Sequence, residues 1–160
     1  MTAPVCRHVT GAEERAACLA IRRVVFIEGQ SVPEDLEIDG LDDTALHFLT
    51  TIDGQPVATA RVRLISNDEG KQDAQKIAKI ERVAVLEQHR GKALGKHLMM
   101  FILEHIRTTP SISMAKLGSQ EHAIPFYEKL GFTRLNTPYM DAGIPHDDMV
   151  LRFNAPESGP

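Results

Sequence analysis

The chain of 160 residues has no tryptophan, only 5% aromatic residues and just two cysteines. Cys6 and Cys18 do not have the spacing of a metal knuckle, so no metal is expected, and with no secretory apolar segment at the N-terminus a reduced, cytoplasmic protein is the default expectation. No apolar run approaches the roughly 18 residues of a membrane span. An excess of basic charge is also missing: the formal net charge is −4 and the pI about 6.0, which argues against a general nucleic-acid surface. Internal repeats, low-complexity tracts and composition breaks are absent. One domain over residues 1–160 is therefore expected, with a flexible tail from about 155. What is abundant is apolar side chains, 42% of the total, enough at this length for a substantial core.

Periodicity and punctuation order the elements. Val5 to Val9 reads as a strand and Ala12 to Phe26 as a helix. Ser31 to Thr44 is an acidic connector. His47 to Ile52 and Val57 to Leu64 read as strands joined at Asp53-Gly54, a strong hairpin signal. After a polar loop over 66–75, Ile77 to Leu86 forms a strand. A helix from Gly91 to Arg107 buries Leu94, Leu98, Phe101, Ile102 and Ile106, and Ile112 to Leu117 follows as a strand parallel to the previous one. A helix over Gln120 to Leu130 stops at Gly131, and the tail adds a hairpin-like pair near Thr133 to Leu135 and Asp148 to Phe153.

The densest chemical signal is Gln88-His89-Arg90-Gly91-Lys92-Ala93-Leu94-Gly95. It joins a β-branched run to an amphipathic helix through a small, basic turn. The first N–H groups of a helix have no intrahelical partner, the dipole places partial positive charge there, and small residues let an anion approach the backbone. Arg90, Lys92 and Lys96 add formal charge. Three phosphate-binding designs share that description. A Walker A loop needs four residues between its first glycine and Gly-Lys, then Ser or Thr; here three residues separate Gly91 from Gly95, and His97 follows Lys96. The dinucleotide fingerprint needs Gly-x-Gly-x-x-Gly in an early strand-helix turn, whereas this chain offers Gly91-x-Ala93 past its midpoint. The pattern that fits is Gln88-x-x-Gly91-x-Ala93, which resembles the acyl-CoA pyrophosphate loop of the GNAT superfamily of N-acetyltransferases.

A second element supports that resemblance: Gln120-x-x-Ala123-x-x-Phe126-Tyr127-Glu128-Lys129-Leu130-Gly131-Phe132, with Gln120 where the superfamily usually has Asn. A finer resemblance, to the ElaA-like or YjcF-like branch, covers nearly the whole chain through Val25-Phe26-Ile27-Glu28-Gly29-Gln30, Glu37-x-Asp39-x-x-Asp42, His47 and Gly143-Ile144-Pro145-His146-x-x-Met149. Gly29 stands where that branch commonly carries an acidic residue.

The resemblance implies an α/β (α+β) GNAT fold: a mixed, mostly antiparallel central sheet flanked by helices, with a splayed parallel strand pair. It implies an acyl-CoA-dependent N-acetyltransferase that moves acetyl from acetyl-CoA, with CoA as product, to a primary amine of a small molecule or peptide. It further implies that the backbone of Val83, Ala84 and Val85 holds the pantetheine amides, that Gln88, His89, Arg90, Gly91, Lys92, Ala93, Leu94, Gly95 and Lys96 hold the pyrophosphate, and that Gln120 and Phe126 flank the cofactor arm. Tyr127 is implied as the proton donor to the departing thiolate; the plain alternative is a tyrosine packed with Phe126 and Phe132. Two residues stand as candidates for the base that accepts the amine proton. Glu81 lies on the cofactor strand, on the face of Val83 and Val85 by strand parity; its alternative is an ion pair with Arg61 or Arg63. His146 lies in a rigid tail loop, or a water chain serves instead.

The acidic cluster Glu34, Asp35, Glu37, Asp39, Asp42 and Asp43 suits a cationic acceptor, or is a solvated loop; Arg61 and Arg63 suit an anionic acceptor group. Two rival functions remain: a non-catalytic acyl-CoA sensor, and an ATP-dependent enzyme using the glycine loop. The superfamily often dimerises through edge strands, so a homodimer is one possible assembly.

Overall fold

The computed structural model describes residues 3–66 and 75–153. The polar loop expected over 66–75 and the tail from about 155 lie almost entirely outside the described residues. The chain forms two compact units, Met1–Arg63 with Glu81–Ile102, and Leu64–Ile80 with Leu103–Pro160.

In the first unit, β1 (Val5–Val9) pairs antiparallel with β2 (Leu46–Ile52), and β2 with β3 (Gln55–Ser66). The β2–β3 turn is made by Asp53 and Gly54, both left-handed (φ 51° and 77°), the conformation that matches the twist of a tight hairpin. Between β1 and β2 runs α1 (Ala12–Arg22), with Glu13 and Glu14 in its first turn, where acidic charge complements the helix dipole. The helix expected to continue regularly to Phe26 instead widens into π-helical turns over Arg23–Glu28. Val24, Val25, Phe26 and Ile27 are four consecutive bulky residues that no single 3.6-residue stripe can bury. The wider winding buries Val25 and leaves Val24 exposed. The acidic connector contains a short helix, α2 (Glu34–Glu37), and a 3₁₀ turn over Asp42–Thr44. Val9, Cys18, Ile21, Val25, Leu49 and Ala84 form one core cluster, beside which Phe48 meets His8 and, edge-on, Phe101.

β4 (Lys76–Val85) runs through both units. In the second, its first half pairs parallel with β5 (Ile112–Gln120), from Lys76↔Ile112 to Ile80↔Leu117, as expected for a strand-helix-strand crossover. Each strand then continues beyond that ladder, β4 to Val85 and β5 to Gln120. α3 (Leu94–Arg107) connects them. It begins three residues later than the sequence pattern suggests, because Gly91 and Ala93 are left-handed (φ 82° and 59°) and cannot be helical.

β5 pairs antiparallel with β8 (Ile144–Arg152), and β8 with both β6 (Thr133–Arg134) and β7 (Tyr139–Asp141). The strand order is β1-β2-β3-β4-β5-β8-β6, with β7 on β8, a mixed, mostly antiparallel sheet with one parallel pair. The helix expected over Gln120–Leu130 is shorter: β5 extends to Gln120, a 3₁₀ turn covers Glu121–Ala123, and α4 (Ile124–Lys129) follows with Pro125 in its first turn. Proline lacks the N–H that a helix interior uses and suits this position. Gly131, at φ 104°, ends α4 as expected.

Candidate active site

In the first unit, β4 delivers the chain to the head of α3. Within it Arg82 is left-handed (φ 55°), so strand parity does not carry from Glu81 across to Val83 and Val85. Ala84 is buried, with Val83 and Val85 half-buried, and the Leu86 N–H donates to Val57 O at 3.0 Å. Gln88 and His89 lie in a 3₁₀ turn, Glu87–His89. Arg90, Gly91, Lys92, Ala93 and Lys96 are exposed, Gly95 is half-buried and Leu94 is buried. The Arg90 Nε–H donates to Val85 O at 3.1 Å, tying the basic turn to the end of the strand.

The first helical bond of α3 runs from the His97 N–H to Ala93 O, 3.0 Å. The N–H groups of Leu94, Gly95 and Lys96 therefore have no intrahelical acceptor. A Cβ added at Gly91 would meet nothing within 4 Å, so what the glycine supplies is its left-handed conformation. His89 Nδ1 is buried without a hydrogen-bond partner among the described residues. An anionic group fits this turn: it would meet backbone donors, a helix N-terminus and exposed cationic side chains.

The same unit holds a charge cluster. Arg22 donates to both Glu37 oxygens (2.7 and 3.0 Å) and to Asp42 (2.7 Å). Arg61 donates to both Asp39 oxygens (2.8 Å each), to Asp42 (3.0 Å) and to Glu81 (2.5 and 3.1 Å). Arg63 forks onto Glu81 at 2.7 and 2.9 Å, and Arg82 reaches Asp39 Oδ2 (3.2 Å) and the carbonyls of Leu36 and Glu37. Arg22 and Arg61 are each 1% exposed. Burial alone would push the Glu81 carboxyl up, but hydrogen bonds from Arg63 and Arg61 outweigh it and bring it down to about 2. Arg61 lowers Asp39 as well. For Asp42, burial pushes up and the bond from Arg22 more than reverses it. The Nε2–H of His47 donates to Asp42 O at 2.8 Å, and burial depresses its pKa.

The acidic connector is thus largely spent on arginines. Glu37, Asp39 and Asp42 are inside the cluster, while Glu34 pairs with Arg23 and Asp43 with Arg15. Arg61 and Arg63 are likewise committed. The cluster was half-visible in the sequence: the pairing of Glu81 with Arg61 or Arg63 follows from strand neighbourhood, but nothing local marks Arg22 and Arg82 as partners of the connector.

In the second unit, Tyr127 packs edge-on against Phe126 (4.9 Å between ring centroids) and Phe132 (6.0 Å). Burial raises its phenol to about 12, so it is neutral at ordinary pH and keeps an O–H to donate. Gln120 closes β5 opposite His146 of β8. His146, expected in a tail loop, is a strand residue. Its Nδ1 lies 2.7 Å from Ile144 O; a carbonyl only accepts, so Nδ1 carries the proton and the lone pair falls on Nε2. Tyr139 stacks on the imidazole, 5.6 Å between centroids at 22°. Sequence reasoning missed Tyr139, since β7 is three exposed residues with no burial alternation to find.

Among the described residues no group of His, Cys, Asp and Glu is placed to hold a metal, and no helix is long and apolar enough to cross a membrane.

Known proteins share this fold. A model of the acetyltransferase (GNAT) domain matches residues 19–153. The chain is 33% identical to the uncharacterized N-acetyltransferase YjcF of Bacillus subtilis (strain 168) over 81% of its own length and 86% of that protein. It is 34% identical to protein ElaA of Escherichia coli (strain K12) over 84% of each. The crystal structure of Escherichia coli ElaA superposes with a TM-score of 0.76 at 30% identity, covering 94% of this chain and 99% of that one. A Pseudomonas aeruginosa acyl-CoA N-acyltransferase does so with a TM-score of 0.75 at 28% identity, covering 94% and 99%. The chain belongs to the GNAT acetyltransferase family, and within it is similar to ElaA and YjcF.

Proposed function

We propose that the protein transfers an acetyl group from acetyl-CoA to a primary amine of a small molecule or peptide by direct transfer in a ternary complex. The reading is carried by the head of α3, where the left-handed Gly91 and Ala93 present the N–H groups of Leu94, Gly95 and Lys96 beside Arg90 and Lys92. These groups would hold the cofactor's pyrophosphate. The backbone of Val83, Ala84 and Val85, beyond the β4–β5 ladder, would pair with the pantetheine amides like an added strand, and Gln120 and Phe126 would flank the arm. The likeness to the N-acetyltransferase YjcF and to the Pseudomonas acyl-CoA N-acyltransferase supports the same class.

Acetyl-CoA supplies a thioester, whose carbonyl carbon exchanges its bond to sulfur for a bond to the amine nitrogen. His146 Nε2 takes the proton that the amine sheds, directly or through one water, and later returns it to solvent. Tyr127 donates a hydrogen bond to the departing sulfur. A phenol near 12 is a weaker acid than a thiol, so it stabilises the leaving charge without giving up its proton. Glu81 is the weaker candidate for base, since a carboxylate near 2 has little affinity for a proton at neutral pH.

The test is thermal unfolding with acetyl-CoA, CoA and ATP, followed by free-thiol release across a panel of amines. A ligand that binds only the native state adds about 2.7 kcal/mol at 100 times its Kd. Stabilisation by both CoA species but not ATP, with amine-dependent thiol release, is the expected result. Stabilisation without release from any amine would make the protein an acyl-CoA sensor, and preference for ATP would make the loop a nucleotide site.

A further inference from the structure

We propose that Tyr139 is a positioning residue for His146, and that Gly118 is a glycine in order to admit it. The inference rests on the reading of His146 as base for its consequence in catalysis, but not for its geometry. All the groups involved lie in the second unit. β8 sets His146 opposite Tyr139 of β7, and Asp148, two residues along the same face, opposite Gly118 of β5. The Tyr139 ring stacks on the imidazole, and its hydroxyl donates to Asp148 Oδ1 at 3.1 Å. At its far end the hydroxyl occupies the space a side chain would need on β5: a Cβ built on Gly118 would stand 2.1 Å from Tyr139 Oη but 3.5 Å from Cζ.

A glycine inside a strand forfeits packing and costs chain entropy, so its presence needs a reason, and the ring lying over it is one. The ring is not there to fill the core, since Tyr139 is 37% exposed and all of β7 is exposed. What it restrains is an imidazole with two torsions. The bond from Nδ1–H to Ile144 O fixes the tautomer, and the stacked ring fixes the plane in which Nε2 presents its lone pair. Aromatic pairs hold offset-stacked geometry at this separation, and a base acts only if its lone pair is aimed at the proton.

The test uses Tyr139→Leu, Tyr139→Phe, Gly118→Ala and the double variant Gly118→Ala with Tyr139→Phe. Two readouts are taken. One is the NMR shift of the His146 ring protons, assigned by their loss in His146→Ala; the other is kcat and KM for amine and acetyl-CoA. In Tyr139→Leu the ring-current shift disappears. In Gly118→Ala the added methyl ejects the tyrosine and the shift disappears likewise. Both lower kcat about tenfold, short of the 10²- to 10⁴-fold for removing a base outright, and leave the KM for acetyl-CoA unchanged. Tyr139→Phe keeps the shift. Combined with Gly118→Ala it restores the shift, because the nearest atom to the new methyl becomes Cζ at an ordinary contact distance. An unchanged His146 signal in Tyr139→Leu or Gly118→Ala, or a double variant no better than Gly118→Ala, overturns the inference. If the signals follow the pattern while kcat is the same in every variant, the positioning stands and the role of His146 as base falls.

Discussion

Glu81 in the first unit and His146 in the second are held in opposite ways. Glu81 has two arginines on its carboxylate and is brought down to about 2; its charge is committed to holding structure. His146 has one nitrogen fixed by a carbonyl of its own strand, which forces the lone pair onto the other. Both residues are half-buried or buried and both suit a base by residue type. Their partners separate them: a group whose hydrogen-bonding capacity is saturated by permanent charges is structural, whereas one held at a single atom is free to exchange a proton at another.

The sharpest way to break this contrast is to remove each group. His146→Ala is expected to lower kcat by about 10²- to 10⁴-fold with little change in urea midpoint, while Glu81→Gln lowers the midpoint and affects turnover less. The reverse pattern in paired steady-state and denaturation experiments would exchange their roles. Next in size is Arg61→Met. Removing one partner of a buried ion network costs about 3 to 5 kcal/mol, because Asp39, Asp42 and Glu81 are left without it; equilibrium urea unfolding checks this.

The same arginine sharpens the comparison through pH. The folded pKa of Glu81 lies below its unfolded value, so its stabilisation is complete above about 4.5 and is lost as pH falls toward about 2. Asp39 and Asp42 shift in the same direction. Urea midpoints measured across that window are expected to fall steeply in the native protein and less steeply in Arg61→Met. Tyr127→Phe is expected to reduce kcat about tenfold or more while leaving the Kd for acetyl-CoA, measured by calorimetry, unchanged. The smallest effect is that of Ala93→Gly. Relief of a left-handed alanine, about 1 kcal/mol, is offset by the extra chain entropy of glycine, so a melting shift of a degree or two and unaltered acetyl-CoA binding are expected.

Features encoded by neighbours in sequence were legible in it. The Asp53-Gly54 hairpin, the glycine turn before α3, the parallel strands either side of it and the Gly131 stop all depend on local backbone preference or short periodicity. Features that depend on what lies across the sheet were not. Nothing local singles out Arg22 and Arg82, which meet Glu37 and Asp39 only through α2 and β4. Strand parity failed at Arg82 because a left-handed residue interrupts it. β7 carried no pattern at all, and with it went Tyr139. The late start of α4 was readable from Pro125, whose preference for a first helical turn outweighs the apolar periodicity extending back to Gln120.

The cluster in the first unit brings together Arg22, Arg61, Arg63 and Arg82 with Glu37, Asp39, Asp42 and Glu81, four charges of each sign. Such a set cancels at a distance. Beyond a Debye length, about 8 Å at physiological salt, it projects almost no field, so the most acidic stretch of the sequence does little to draw a charged acceptor from solution. The encounter rate of an amine with this protein is then nearly independent of ionic strength as far as that stretch is concerned, and selectivity among amines arises from contact at short range.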